Sequence, residues 1–476
     1  MNAQIRRLFV VVLLLFCVLV FATSWNSVFR AEDLQANAKN QRELLAEQKI
    51  RRGLIRAADG TVLARSFKRA DGTYTRRYPQ GGLFAHAVGY NYVRFGRAGL
   101  EKQYNSALVG DKGEFGSLLD ELLSTVPEGD DVRTTLDPGA QRAAISGLAG
   151  RKGAVVALDP RTGAIRAMAS EPGYDPAKLP DGNLFGALNR DPSAPLLNRT
   201  TQSGYPPGST FKVVTAIAAI DSGRYTPESL VSGRNGKVIS GVPLNNFAGE
   251  DFGPIPLTQA LTNSVNTVWA EVGEKLGGRV MRRYMQRLGF DDQVRVDLPS
   301  DERAPSGEFV NGRFVPATNR NVDVGRMAIG QDKLRVTPLQ MAMVAASVAN
   351  GGELMEPHLG DEIVDRDGRV VRRIHPQSMS TVMAPESASR LNAMMQQVVR
   401  EGTGTAAALS GIDVAGKTGT AEKNIAQRIN QPWFIGFAPA NDPKVAVAVT
   451  VETSIGGTGG EVAAPIAKSV MEELLR

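Results

Sequence analysis

One cysteine in 476 residues, Cys17, is too few for a disulfide framework, and everything after it is free of thiol chemistry. The three histidines, His86, His358 and His375, stand far apart with no metal-ligand spacing, which argues against a zinc site. No internal repeat or low-complexity tract appears, so solenoids and biased tails are excluded. Only one apolar run is long enough to meet a membrane, so a multi-pass protein is excluded as well. What is present is a 42% hydrophobic chain with a net charge of +6, long enough for two or three globular domains. Much of that charge is local. Arg51, Arg52, Arg56, Arg65, Lys68, Arg69, Arg76 and Arg77 face only Asp59 and Asp71. Such a run reads as a solvated face, with attraction to an anionic membrane surface or a partner as the functional alternative.

Arg6 and Arg7 precede the apolar run Leu8–Ala22, which polar Thr23 and Ser24 and then Trp25 close. Basic residues ahead of the run place the N-terminus in the cytoplasm. The run suits either a spanning helix over residues 8–25 or a signal peptide cleaved after Val20-Phe21-Ala22. Residues 30–48 read as a helix or stalk. Asp59-Gly60 and Asp71-Gly72 read as hairpin turns, and Gly99-Leu100-Glu101 and Tyr104-Asn105 as helix starts. This N-terminal part holds no catalytic constellation and is expected to be a spacer or docking module. Near Thr135-Leu136-Asp137-Pro138 the character changes. A helix is expected over 141–148, strands over 153–158 and 164–169, and helices near 256–276, 279–288 and 338–349. Strands over 414–421, 433–438 and 444–452 and a helix over 464–475 close the chain. Strands at both ends with helices between predict one antiparallel sheet, first and last strands adjacent, beside a helical lobe.

The chain is organised around Tyr205-Pro206-Pro207-Gly208-Ser209-Thr210-Phe211-Lys212. Prolines and glycine set a rigid turn, and the apolar Val213–Ile220 that follows predicts a buried helix. Ser209 then sits at the helix start, with Lys212 on the same face one turn on. Serine caps and first-turn lysines are ordinary. Here, however, a charge abuts an apolar run, in the only Ser-x-x-Lys of the chain. Desolvation and the helix dipole lower the lysine pKa, so a neutral amine can take the hydroxyl proton. Ser264-Val265-Asn266 follows, with a hydroxyl to relay a proton and an amide to hold a substrate peptide carbonyl. Lys417-Thr418-Gly419-Thr420 lies on an expected strand, flanked by glycines that mark close approach by a ligand. A peptide can align along this strand edge, with Lys417 and Thr418 on its terminal carboxylate. The backbone N–H groups of Ser209 and Thr420 are placed to form an oxyanion hole.

Ser-x-x-Lys with Ser-x-Asn and Lys-Thr-Gly, in this order, is the signature of penicillin-binding proteins and β-lactamases. The chain resembles the class B penicillin-binding proteins over most of residues 50–476. Further support comes from Gly330-Gln331, Thr337-Pro338-Leu339-Gln340, Asn350-Gly351-Gly352 and Trp433-Phe434-Ile435-Gly436-Phe437-Ala438-Pro439. Arg52-Gly53-Leu54-Ile55 and Gly99-Leu100-Glu101 resemble that family's N-terminal motifs. Its short N-terminal region and Arg/Ala/Gly-rich composition are most similar to the actinobacterial penicillin-binding protein A group. It departs from the family at Arg56-Ala57-Ala58, where Asp-Arg is usual.

The resemblance implies an α+β fold of the penicillin-binding transpeptidase and serine β-lactamase type, an antiparallel sheet flanked by helices plus an all-helical lobe. A small N-terminal α+β domain and a single membrane helix precede it. The implied divisions are a cytoplasmic tail (1–7), a retained signal-anchor (8–25), a dimerisation or pedestal domain (26–130) and a transpeptidase domain (131–476). The implied reaction is D,D-transpeptidation of peptidoglycan stem peptides on lipid-linked nascent glycan, through an acyl-Ser209 that β-lactams also form, with no cofactor and no metal. The implied partners are a multi-pass SEDS-family polymerase and other divisome or elongasome proteins, at the outer face of the cell membrane and without nucleic acid. A serine β-lactamase would lack the roughly 200 residues upstream of the nucleophile, being a single domain. A β-lactam sensor would need several spans or a cytoplasmic domain. A non-enzymatic scaffold is separated from an enzyme by Ser209→Ala.

Overall fold

A computed structural model describes residues 2–28, 42–110, 128–424 and 429–476. The stalk expected over 30–48 lies largely outside the described residues; Arg42–Glu47 is helical. The first helix, Asn2–Val28, contains a stretch, Gln4–Trp25, long and apolar enough to cross a membrane. Its 22 residues rise about 33 Å, enough for the hydrocarbon core of a bilayer.

The expected hairpin turns are present. Asp59-Gly60 joins Ile55–Arg56 to Val62–Lys68, and Asp71-Gly72 joins the latter to Tyr74–Arg77. These strands extend into a six-stranded sheet by adding Asp131–Thr134 and then Gly360–Val364 and Val370–Arg373, the last two from far beyond Ser209 in the chain. Beneath it Glu101 is fully buried. It accepts from Arg52 Nε at 2.7 Å and Arg76 Nε at 2.6 Å. The basic run is therefore not one face: Arg52 and Arg76 are internal, while Arg51, Arg65, Lys68, Arg69 and Arg77 are exposed.

The second sheet is antiparallel, in the order Ala415–Asn424, Ile429–Ala438, Val445–Val451, Gly153–Leu158, Ile165–Glu171, with Ser454–Ile455 pairing on Ile429–Ala438. The early strand Gly153–Leu158 thus lies beside the late strand Val445–Val451, as expected. Both strands are buried along their whole length, because helices cover both faces. Val155, Ala157, Val447 and Val449 pack toward Pro138–Leu148 and Ala464–Leu474. Val156, Leu158, Ala446 and Ala448 face the larger core, which holds Lys212–Asp221 and Pro338–Ala349. The period-two alternation of side chains supplies both cores from the same strands. Pro338 occupies the first turn of its helix, and Thr337 Oγ1 accepts from Gln340 N at 3.2 Å. The helical lobe comprises Lys212–Asp221, Leu257–Thr262, Asn266–Arg287 and neighbours. The helix expected near 256–276 is interrupted at 263–265, and Gly277, at φ 75°, breaks the regular backbone where a second helix was expected to begin.

Candidate active site

Gly208–Phe211 forms a 3₁₀ turn that runs directly into the helix Lys212–Asp221. In 3₁₀ geometry residues i and i+3 eclipse, which stacks Ser209 and Lys212 on one face. The turn is fastened on several sides. Tyr205 and Val336 exchange backbone hydrogen bonds of 2.9 and 2.8 Å, Gly208 N donates to Gly330 O at 3.0 Å, and Trp433 Nε1 donates to Pro206 O at 3.0 Å. Gly330 has φ 77°, and a Cβ there would lie 1.9 Å from Gly208 O, so this glycine is required by the turn that carries Ser209. Tyr205 Oη donates to Glu452 at 2.7 Å, and Arg199 Nε binds the same carboxylate oxygen at 2.7 Å.

Lys212 is fully buried. Its Nζ donates to Ser264 O at 2.7 Å and Asn266 Oδ1 at 2.7 Å, and lies 3.2 Å from Ser264 Oγ. Among the described residues it has no carboxylate partner. Desolvation, and then the charge of Lys417, push its pKa well below the ordinary lysine value. Ser209 Oγ makes no hydrogen bond among the described residues and is partly exposed, free to meet an incoming carbonyl.

Ser264 sits between the helices Leu257–Thr262 and Asn266–Arg287 with φ 57°, a left-handed conformation unusual for serine. Val265 is 1% exposed, so the middle residue of the second motif is core and the serine and asparagine face the cleft. Asn266 Nδ2 donates to Asn245 O at 3.2 Å, and its second N–H is left for a ligand.

Ala415–Asn424 is the edge strand of the second sheet and runs past the turn that carries Ser209. A Cβ on Gly419 would lie 2.8 Å from Pro207 O and 3.0 Å from Thr210 N, and one on Gly416 would lie 2.4 Å from the Phe434 ring. What approaches these glycines closely is the chain's own turn and its own ring, where the sequence had suggested a ligand. Lys417 is fully buried, and its Nζ donates to Ser264 Oγ at 2.9 Å and to Thr418 O at 2.9 Å. Burial lowers its pKa to about 7. Thr418 Oγ1 pairs with Thr403 Oγ1 at 2.5 Å, and Thr420 Oγ1 accepts from Gly459 N at 3.2 Å. The Thr420 carbonyl and the Ala421 N lie 3.1 Å from the Cβ position of Gly208, so this backbone is against the nucleophile turn.

The structure thus brings Ser209, Lys212, Ser264, Asn266 and Lys417–Thr420 to one cleft. Sequence reasoning missed Thr403, the Arg199–Glu452–Tyr205 brace and the loop carrying Asn245 and Asn246. Each acts through polar contacts to segments distant in sequence, which leave no local pattern.

Residues 153–472 match the penicillin binding protein transpeptidase domain, and residues 52–132 match the penicillin binding protein A dimerisation domain. The chain is 36% identical to the peptidoglycan D,D-transpeptidase PbpA of Mycolicibacterium smegmatis, over 100% of this chain and 99% of that protein. It is similar to the ceftriaxone acyl-enzyme structure of penicillin-binding protein A from M. tuberculosis, with TM-score 0.82, 32% identity, and 91% and 100% of the two chains covered. The D,D-transpeptidase domain from Eggerthella lenta aligns with TM-score 0.78 and 35% identity, over 90% of this chain and 98% of that one. With the transpeptidase model matched across most of its length and a relative matched end to end, the chain belongs to the penicillin-binding protein transpeptidase family.

Proposed function

We propose that Ser209 is the acylated nucleophile of peptidoglycan D,D-transpeptidation and that neutral Lys212 is its base. The observation that supports this best is the buried Lys212 amine, held beside Ser264 and Asn266 with its pKa lowered by desolvation. Lys212 takes the Ser209 proton as Oγ attacks the penultimate D-Ala carbonyl of a stem peptide. The backbone N–H groups of Ser209 and Thr420 receive the oxyanion. Ser264 Oγ passes a proton to the departing D-Ala amine, Asn266 Nδ2 holds a donor carbonyl, and Lys417 with Thr418 receives the terminal carboxylate. An amine from a neighbouring stem then takes the acyl group. β-Lactams acylate the same serine and remain.

Around this chemistry, residues 26–130 serve as the dimerisation or pedestal domain and 131–476 as the transpeptidase domain. Arg6 and Arg7 ahead of the apolar helix favour a cytoplasmic N-terminus and an outward-facing catalytic domain. The partners are a multi-pass SEDS-family polymerase and the division or elongation machinery that carries it.

The test is intact-mass measurement and peptide mapping of the full chain after exposure to a fluorescent penicillin. A persistent adduct on the peptide containing Ser209, missing in Ser209→Ala, is the expected result. Rapid release of penicilloic acid would reassign the protein to hydrolysis. No adduct at all would remove the acyl-transfer reading.

A further inference from the structure

Beside the acylation site lies a second cleft of about 290 Å³ that meets the catalytic groups only at Ser264. Ser209, Lys417 and Thr420 do not line it. One wall is the loop carrying Phe247, Glu250 and Phe252, and the other is the turn carrying Glu401 and Thr403. Phe247 is 75% exposed, a large apolar side chain held at the lip of a polar cleft. Among the described residues no lysine or arginine lines the cleft, and neither Glu250 nor Glu401 has an ion-pair partner.

The loop is built to hold that position. Asn246, 4% exposed, accepts from Thr267 N and Thr267 Oγ1 at 3.0 Å each and donates to Gly233 O and Glu250 O at 2.9 and 3.0 Å. Asn245 O accepts from Asn266 Nδ2 at 3.2 Å. Phe247 and Glu250 are therefore tied to the start of the helix that carries Asn266. Across the cleft, Thr403 is tied to Thr418 of the edge strand. Both walls are registered on catalytic residues, one on each side of Ser264.

The geometry points to this cleft as the acceptor subsite, taking the amine-bearing side chain of the second stem peptide. This rests on the transpeptidase reading above and deepens it. The occupant's chemistry follows from the walls: an aliphatic stem against Phe247 and Phe252, and an ammonium attracted by Glu250 and Glu401. The donor needs the edge strand and Ser209, which this cleft does not present. The acceptor must deliver its amine past the proton relay, and the relay residue Ser264 lines this cleft. On entry the ammonium gives one proton to water. The amine nitrogen then bonds to the acyl carbon and the ester bond to Ser209 Oγ breaks. The proton shed by nitrogen passes through Ser264 Oγ and Lys212 to Ser209 Oγ, restoring the hydroxyl and leaving a neutral amide.

The test uses the full chain in detergent with a D-alanyl thioester donor and a series of amine acceptors, reading amide and hydrolysis products separately. In Glu250→Gln/Glu401→Gln the acceptor concentration for half-maximal amide formation is expected to rise about three- to twentyfold, because both charges are exposed. Phe247→Ala is expected to raise it about threefold. Acylation of Ser209 by penicillin should stay within about twofold in both variants, the range of a surface charge change that touches no reacting atom. Unchanged amide formation in both variants, with acylation intact, would overturn the subsite. Loss of acylation in the unaltered chain would instead overturn the nucleophile assignment, so the two failures are distinct.

Discussion

Gly419→Ala tests whether the edge strand must touch the nucleophile turn. Gly419 is not among the glycines with positive φ, so alanine adds no backbone strain and the effect is steric. The new Cβ would lie 2.8 Å from Pro207 O and 3.0 Å from Thr210 N and Thr210 Cγ2, where ordinary contact begins at 3.4 Å. Two of these three neighbours are backbone atoms, which do not rotate away. The strand must therefore retreat by about half an ångström, and it takes the Thr420 N–H with it. Oxyanion donors act within about 2.7–3.1 Å, and an ångström of misplacement costs roughly a hundredfold, so acylation by a fluorescent penicillin should slow about tenfold. The control is Gly416→Ala, whose Cβ would meet the Phe434 ring at 2.4 Å and Ile435 O at 3.1 Å, but not the turn. It should lose about 1–3 kcal/mol of stability through overpacking while acylating within about threefold of the unaltered protein. Second-order acylation rates and melting curves on both variants separate the two effects. Wild-type acylation in Gly419→Ala would refute the argument that this glycine exists for the nucleophile turn.

Glu101→Gln leaves Arg52 and Arg76 buried without their shared carboxylate and should cost about 3–5 kcal/mol in urea unfolding. Burial alone would raise the Glu101 pKa, but the Arg76 and Arg52 guanidiniums outweigh it and hold the group below 4.5. Its contribution to stability is therefore present above the unfolded value and lost as pH falls through the folded one, and the acid transition of Glu101→Gln should be correspondingly shallower. The acid limb of the acylation rate should follow deprotonation of Lys212. Desolvation comes first in lowering that pKa and the charge of Lys417 second, so Lys417→Gln should move the limb to higher pH while slowing acylation; a limb that moved down or stayed put would break the link between the two amines.

The organising turn and its helix were legible because the signal is local: two prolines, a glycine and an eight-residue apolar run. The sheet was legible because Gly153–Leu158 and Val445–Val451 are apolar throughout, as strands buried on both faces must be. Val370–Arg373 escaped notice for the opposite reason: it is exposed along its whole length, and an edge strand in water needs no alternation. Gly360–Val364 is buried at all but one position, but Ile363-Val364 is too short an apolar run to read as a strand. The basic run was misjudged because the carboxylate that internalises Arg52 and Arg76 stands on a helix elsewhere in the chain. Charge counted along a sequence does not show which charges are paired across it. The positive φ of Ser264 also had no sequence signal, since nothing but the fold forces a serine into that region.

The lowered pKa of Lys212 shows most clearly what the sequence carried and what it did not. The apolar run behind the lysine already implies desolvation, and that is its leading cause in the structure. The second cause expected from the sequence was the helix dipole; the second cause found is another lysine, brought in by the edge strand. This changes the chemistry of the site. Ser264 Oγ lies 3.2 Å from one amine and 2.9 Å from the other. Two buried ammonium groups around one hydroxyl repel each other, so the favoured state holds one of them neutral. The hydroxyl has one proton to donate and lone pairs to accept with, so it can receive from the charged amine and donate to the neutral one. Burial lowers both amines, Lys417 to about 7 and Lys212 well below the ordinary lysine value, and the charge of Lys417 adds to the lowering of Lys212. The lowered pKa of Lys212 therefore reflects the pair and not the Ser-x-x-Lys motif alone, and Ser264 Oγ, in contact with both amines, is placed to carry a proton between them.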